Sequence, residues 1–576
     1  MNRNLSAVIT IRHIFLLLIF VGLSLPSAVL SAQIEMDHFL GFNGFFKLNS
    51  WTPLNIVLNN NGKAIDSDLE VVIRSGSEFF GDVRDTTYET HVDLPANSNK
   101  LFSFTIYIDS FIHPLSIRLI ENGKQIISTS INLRPYYKEK NLILFPVNQG
   151  LSDIFPKFDD HVEPVIPRVQ FLPETWYGYD GIESIILKAS DLSEFRENQF
   201  SALASWIRSG GYLILSGDIN YGSFSNEHVQ NLLPLNIKRV KNLTELRSLE
   251  DFCGRALLSK IPIPIIEAEI EGAEVLLKQD DINIILQKKV GFGKIIYTGF
   301  DLQSAPFIEW AGFSLFWRKI LALKPQAIAT VFKWHDNEIL TSMVMTMPIR
   351  FQSSITVIAF LFCYLFIIHI IFKQFMKTRT HSWKKIILLL MVVLIFAAAS
   401  GWSYYDRNKN EGLTYNSFHH LKLNGNDKIA SSEYILGLYT LKAGNINLDP
   451  GPSAEPINAA FSGESIIGTE HDIFFNKVNR KNNVQFSMPK WSKRFLKISS
   501  VLDLPIKGSA VKDRQGVTVT IDNQLPLKLI DSQAFMDGSI IPFGDIKPGG
   551  KLIKRISVFD TDQKKLSYSR SSSPYA

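Results

Sequence analysis

Cysteine is nearly absent: Cys253 and Cys363 are the only two in 576 residues. A disulfide framework is excluded, and an internal bridge is not expected, because Cys363 sits in an apolar run far along the chain from Cys253. Charge is scarce as well, at 20% of residues, with 60 Lys and Arg against 55 Asp and Glu. Arg3, Arg12 and the five bases at 373–385 carry the excess, and the rest of the chain balances 53 basic against 55 acidic residues, so the net charge of +5 gives no hint of nucleic acid binding. Aromatic residues are plentiful, with 41 Phe, 17 Tyr and 9 Trp, and they exclude a disordered chain. A single core stops growing at roughly 250–300 residues, so the chain divides into several domains.

The opening residues 1–32 resemble a secretory signal. Arg3 and Arg12 precede an apolar run, Ile14 to Val21, and Ala28, Ser31 and Ala32 offer small residues for cleavage, though no clean small-x-small site. Whether cleaved or kept as an anchor, the segment directs export of the chain behind it. Two later spans, 353–373 and 385–405, contain the uncharged runs Ile355–Phe372 and Ile386–Tyr405. Crossing ~30 Å of hydrocarbon takes about 20 residues, so two transmembrane helices are expected. The loop 374–384 and its flanks carry Lys373, Lys377, Arg379, Lys384 and Lys385 with no acid, which places that loop in the cytoplasm. The expectation is a multi-pass protein of the cytoplasmic membrane, with the bilayer as one partner and large domains on the periplasmic or extracellular side.

The patterning divides the exported part into four regions. Residues 33–138 read as short strands separated by Gly and Asn turns, among them PLNIVLNNNG, DLEVVIRSG and KLFSFTIYI, as in an immunoglobulin-like β-sandwich. Trp51 is expected in its core. Residues 139–330 alternate between strands and helices: NLILFPV, RVQFL, IESIILK, YLILSG, NIILQKK and KIIYTGF are the strands, with an insertion at about 220–280. Asp191 with Glu194 marks a helix start, and Phe200, Leu203 and Ile207 recur on one helical face before Gly210. Such alternation predicts a mostly parallel sheet covered on both faces. Residues 406–566 return to alternating strands, a second sandwich, and 567–576 are expected to be disordered. The fold class is therefore multidomain, α/β plus β.

YDGIESIIL, then LASWIRSGGYLILSGD, then GFGKIIYTGFDL, resemble the core of a class I glutamine amidotransferase domain. More closely, the order of sandwich, amidotransferase-like domain, transmembrane pair and β-rich tail is similar to a group of exported bacterial membrane proteins. The resemblance implies a cysteine nucleophile after the strand that follows the first helix, and a later histidine. Here that position reads Ser216-Gly217-Asp218, and the last strand runs into GFDLQSAPF, with Asp301 and no histidine. The resemblance therefore implies a retained fold without the chemistry. Ser216, Gly217, Asp218 and Asp301 are left as a candidate residual pocket, because α/β sheets bind ligands at strand ends.

Other polar clusters lack ligand spacing. Asp159, Asp160, His161 and Glu163 share a loop, as do Glu470, His471 and Asp472, but neither has the pattern of a metal site. The GFGK of residues 291–294 lacks the third glycine and the helix of a dinucleotide fingerprint and reads as a hairpin turn. No cofactor and no metal are expected. The functional expectation is a non-enzymatic protein whose exported domains bind or scaffold envelope or membrane protein partners. A hydrolase using Ser216 and a ligand sensor acting through the helical pair are the alternatives.

Overall fold

The structure is a computed structural model. It describes residues 34–76, 83–145, 162–218, 220–325, 354–377, 382–410, 413–424, 429–440, 442–448, 457–459, 473–478, 481–490, 492–513, 516–536 and 539–557. The signal segment, Arg379, Asp159 to His161, Glu470 to Asp472 and the tail 567–576 lie outside them.

The N-terminal region forms seven strands: β1 (Ile34–Leu40), β2 (Ser50–Asn60), β3 (Ile65–Ser75), β4 (Arg84–Leu94), β5 (Ser98–Ile108), β6 (Leu115–Glu121) and β7 (Lys124–Ile131). One sheet runs β1-β2-β5, and the other includes β4-β3-β6-β7. Alternation along β2, β3 and β6 turns Leu54, Ile56, Leu69, Val71, Ile117 and Leu119 inward, where they are fully buried. Each such side chain contributes roughly 1.5–3 kcal/mol. Trp51 is buried, with edge contacts to Tyr88, Tyr107 and Tyr177.

The next region holds β8 (Asn141–Leu144), β9 (Val162–Val165), β10 (Ile182–Lys188), β11 (Tyr212–Ser216), β12 (Leu235–Leu246), β13 (Leu257–Ile270), β14 (Glu274–Gln279), β15 (Ile282–Val290) and β16 (Gly293–Thr298). Its main sheet is ordered β14-β15-β16-β11-β10-β8-β9. The pairs from β16 to β9 are parallel, while β14-β15 and β15-β16 are antiparallel. The mostly parallel sheet expected from the sequence is thus corrected to a mixed one. Among the described residues strands predominate and their pairings are mostly antiparallel. The insertion at about 220–280 accounts for much of the antiparallel pairing here: β12 and β13 make a two-stranded ribbon, and β14 extends the main sheet.

Two local readings also change. RVQFL is no strand; Val169–Phe171 is a 3-10 turn between Pro167 and Pro173, and the second strand is Val162–Val165. The long helix starts at Glu197 rather than at Asp191, and runs to Ser209. Its end meets the β15–β16 hairpin so closely that a Cβ on Gly293 would lie 2.0 Å from the Ile207 carbonyl oxygen. Phe200, Leu203 and Ile207 are buried beneath it, and the helix Phe313–Ala322 covers the opposite face with Phe316, Trp317 and Ile320.

Helices form at Ser354–Lys377 and Ser382–Asn410, touching through Phe360, Tyr364 and Phe396 at ring separations of 5.0 Å. Yet among the described residues no helix is long and apolar enough to cross a membrane. The first runs on through Lys373 and Lys377, the second takes in Lys384, Lys385, Asp406, Arg407 and Lys409. The expected transmembrane pair is corrected accordingly. With it goes the multi-pass inner-membrane location.

The C-terminal strands are β17 (Leu413–Asn424), β18 (Ile429–Thr440), β19 (Gly444–Leu448), β20 (Ile457–Ala459), β21 (Ile473–Val478), β22 (Lys481–Met488), β23 (Ser492–Asp503), β24 (Ile506–Asp513), β25 (Gly516–Asn523), β26 (Leu529–Met536), β27 (Ser539–Ile546) and β28 (Lys551–Ser557). One sheet is β17-β18-β23-β20; a second, β19-β22-β21, continues through β4 into the N-terminal sheet. Val484, Phe486 and Met488 of β22 pack on Leu436, Leu438, Leu496 and Ile498. The sheets β24-β25-β28 and β26-β27 complete the chain's described strands.

Candidate functional site

Three strands of the mixed sheet, β10, β11 and β16, end side by side, and the turns that leave them carry the polar residues. β11 is buried along its whole length, so Ser216 at its end is fully buried too. The Ser216 hydroxyl donates to the Gly217 carbonyl oxygen at 3.0 Å and accepts from the Leu302 N–H at 2.9 Å. Gly217 donates its N–H to the Phe300 carbonyl at 3.1 Å, and a Cβ there would fall 2.7 Å from the Phe300 carbonyl carbon. Only glycine fits this approach of the two turns.

The carboxylates are tied down in the same way. Asp218 accepts the Asn220 N–H at 2.9 Å, a local Asx turn, and the Ser190 N–H at 3.2 Å. Asp301 accepts from the Gln303 N–H at 2.8 Å and pairs with the Lys188 ammonium at 2.9 Å. Asp191 accepts the Lys188 N–H at 2.7 Å within the short helix Ala189–Leu192. Burial pushes the Asp191 carboxyl up to about 7; the Lys188 N–H and ammonium oppose this, while Asp218 and Glu194 add to it.

The structure therefore brings together all four residues singled out from the sequence, Ser216, Gly217, Asp218 and Asp301. It adds Lys188, Asp191 and Gln303, whose buried side-chain amide nitrogen has no hydrogen-bond partner among the described residues. Lys188 had a signal, a charge closing the apolar run Ile185–Leu187, and Asp191 was legible only as a helix start. Gln303 had none. The Ser216 hydroxyl bonds to backbone atoms, and among the described residues no base touches it. Cys253 offers no substitute nucleophile: it is buried, and burial raises its thiol to about 11 against the pull of Lys319. Among the described residues no group of His, Cys, Asp and Glu is placed to hold a metal ion.

A family described as a domain of unknown function (DUF8726) matches residues 33–134, the span of the N-terminal sandwich. No curated protein matches the chain. Solved structures similar to part of it include the cytoplasmic protein STM1381 of Salmonella typhimurium LT2, with 12% identity, a TM-score of 0.27, and coverage of 32% of this chain and 100% of that one. The cytoplasmic protein STM3548 of Salmonella typhimurium is 14% identical at a TM-score of 0.26, covering 32% and 99%. The alkylpurine DNA glycosylase AlkC of Pseudomonas fluorescens, bound to DNA with an abasic site analog, is 14% identical at 0.15, covering 20% and 33%. At such scores these likenesses carry no argument about fold or activity.

Proposed function

We propose that this chain is a non-enzymatic protein whose β-rich domains bind and hold protein partners. The observation that carries the reading is the exposed face of the β24-β25-β28 sheet. Val511 pairs with Thr518 and Ile553 with Thr520, and positions two apart on β25 share a face. Val511 and Ile553 thus stand on one side of the sheet, 64% and 63% exposed. Leu527, just before β26, and Ile530, at its start, are 68% and 75% exposed. Single exposed apolar residues are ordinary, but a group in one small unit suits a protein contact.

The strand-end cluster supports the same reading from the other side. Its serine is bonded to backbone, its aspartates to N–H groups or to Lys188, so among the described residues no nucleophile and base face each other there. Near-neutral overall charge leaves contacts to rest on apolar anchors rather than long-range steering. The test is turnover. The purified chain should release no ammonia from glutamine and hydrolyse no amide or ester above the uncatalysed rate. Turnover that disappears in Ser216→Ala would make Ser216 a nucleophile and overturn the reading.

A further inference from the structure

The two β-rich ends of the chain share one sheet, and the join between them is short. β4 is in register with β3 over its full length, Arg84 opposite Ser75 to Leu94 opposite Ile65. On its other edge it meets β21 only from Thr86, opposite Ile473, to Glu89, opposite Asn476, in parallel. At its far end the Asp93 carbonyl accepts from Lys100 Nζ at 3.0 Å, and the Leu94 carbonyl from Asn60 Nδ2 at 3.3 Å. An open strand edge invites pairing with other chains and is normally covered. At Thr86 to Glu89 the cover is β21.

β21 does not depend on this join for its own support. It is paired antiparallel with β22 from Ile473 to Val478, and β22 is anchored by Val484, Phe486 and Met488 in the C-terminal core. Its pairing with β22 spans six residues against four with β4, and marginal pairings open ahead of the rest.

We propose that the β4–β21 pairing is an autoinhibitory contact: residues 473–476 occupy, within the chain, an edge on which an extended strand of a protein partner adds in parallel. This inference rests on the partner-binding reading and names one of its surfaces. The occupant is a strand of the character of Ile473-Phe474-Phe475-Asn476, since β-branched and aromatic residues favour the extended backbone. Main-chain hydrogen bonds supply affinity, and alternate side chains supply choice of partner.

The experiment uses the full chain and a fluorescent synthetic peptide of residues 471–478. In a Cys363→Ser background, Thr86→Cys with Ile473→Cys locks the join when oxidised; Phe475→Pro weakens it by removing an N–H from the strand. The peptide should bind the Phe475→Pro chain roughly tenfold or more tighter than the wild type, because the competent fraction rises. It should not bind the oxidised lock, and reduction should restore binding. Should Phe475→Pro misfold, the oxidised and reduced forms of the lock decide alone. Equal binding, or none, in locked and unlocked chains overturns the proposal. Peptide binding without any protein adduct in cells would keep the edge and remove the partner-holding reading; adducts without a peptide response would do the reverse.

Discussion

Lys188 and Asp301 meet at 2.9 Å across the end of β11, joining strands β10 and β16 that do not pair with each other. The bridge closes over the turn that holds Ser216. With Asp301 buried and Lys188 about four-fifths buried, it is an interior contact rather than a surface one.

Removing one partner should be costly. Lys188→Met leaves the Asp301 carboxylate buried without its cation, at a loss of about 3 kcal/mol. Lys188→Met with Asp301→Leu should recover most of that loss. Urea unfolding followed by the buried tryptophans of this region measures both; equal stability of the single variant and wild type would show that the bridge is not formed in solution.

Asp191 gives a pH dependence of fixed sign. Its folded carboxyl is raised from 3.8 to about 7, so the folded state holds the proton more tightly than the unfolded state. The group's contribution therefore falls as pH rises from about 4 to about 7 and stays low above that. Asp191→Asn, which can still accept the Lys188 N–H, should gain melting temperature over wild type at pH 8 and little at pH 4. A difference independent of pH would remove Asp191 from the account.

Ser216→Ala should act on stability alone. The Leu302 N–H loses its acceptor in a buried place, which costs roughly 1–3 kcal/mol. Gly217→Ala should cost at least as much, because the added Cβ meets the Phe300 backbone. Chemical denaturation of the two variants ranks them; a neutral Gly217→Ala would mean the turns are further apart.

The buried strands are legible in the sequence. IESIILK is β10 residue for residue, YLILSG contains β11, and KIIYTGF takes in all of β16 but its first residue, Gly293, since strands covered on both faces carry apolar runs. β4, RDTTYETHVDL, is not: it is polar and covers a core with only half its side chains. Its partner β21 lies hundreds of residues away, and no local pattern encodes such a pairing. The strand-end cluster is half legible. Ser216 and Asp218 come directly after a strand and can be placed, whereas Lys188, Asp191 and Gln303 join them only through turns from separate strands. Counting apolar residues predicts a crossing pair, whereas among the described residues no helix is long and apolar enough to cross a membrane.

The most direct test of the partner-holding claim is photo-crosslinking in cells from probes at Val511 and Ile553. Discrete protein adducts should form, survive moderate salt as apolar contacts do, and vanish when the unprobed position of the two carries Asp. Adducts unchanged by that substitution, or no protein adduct from either position, would contradict the claim.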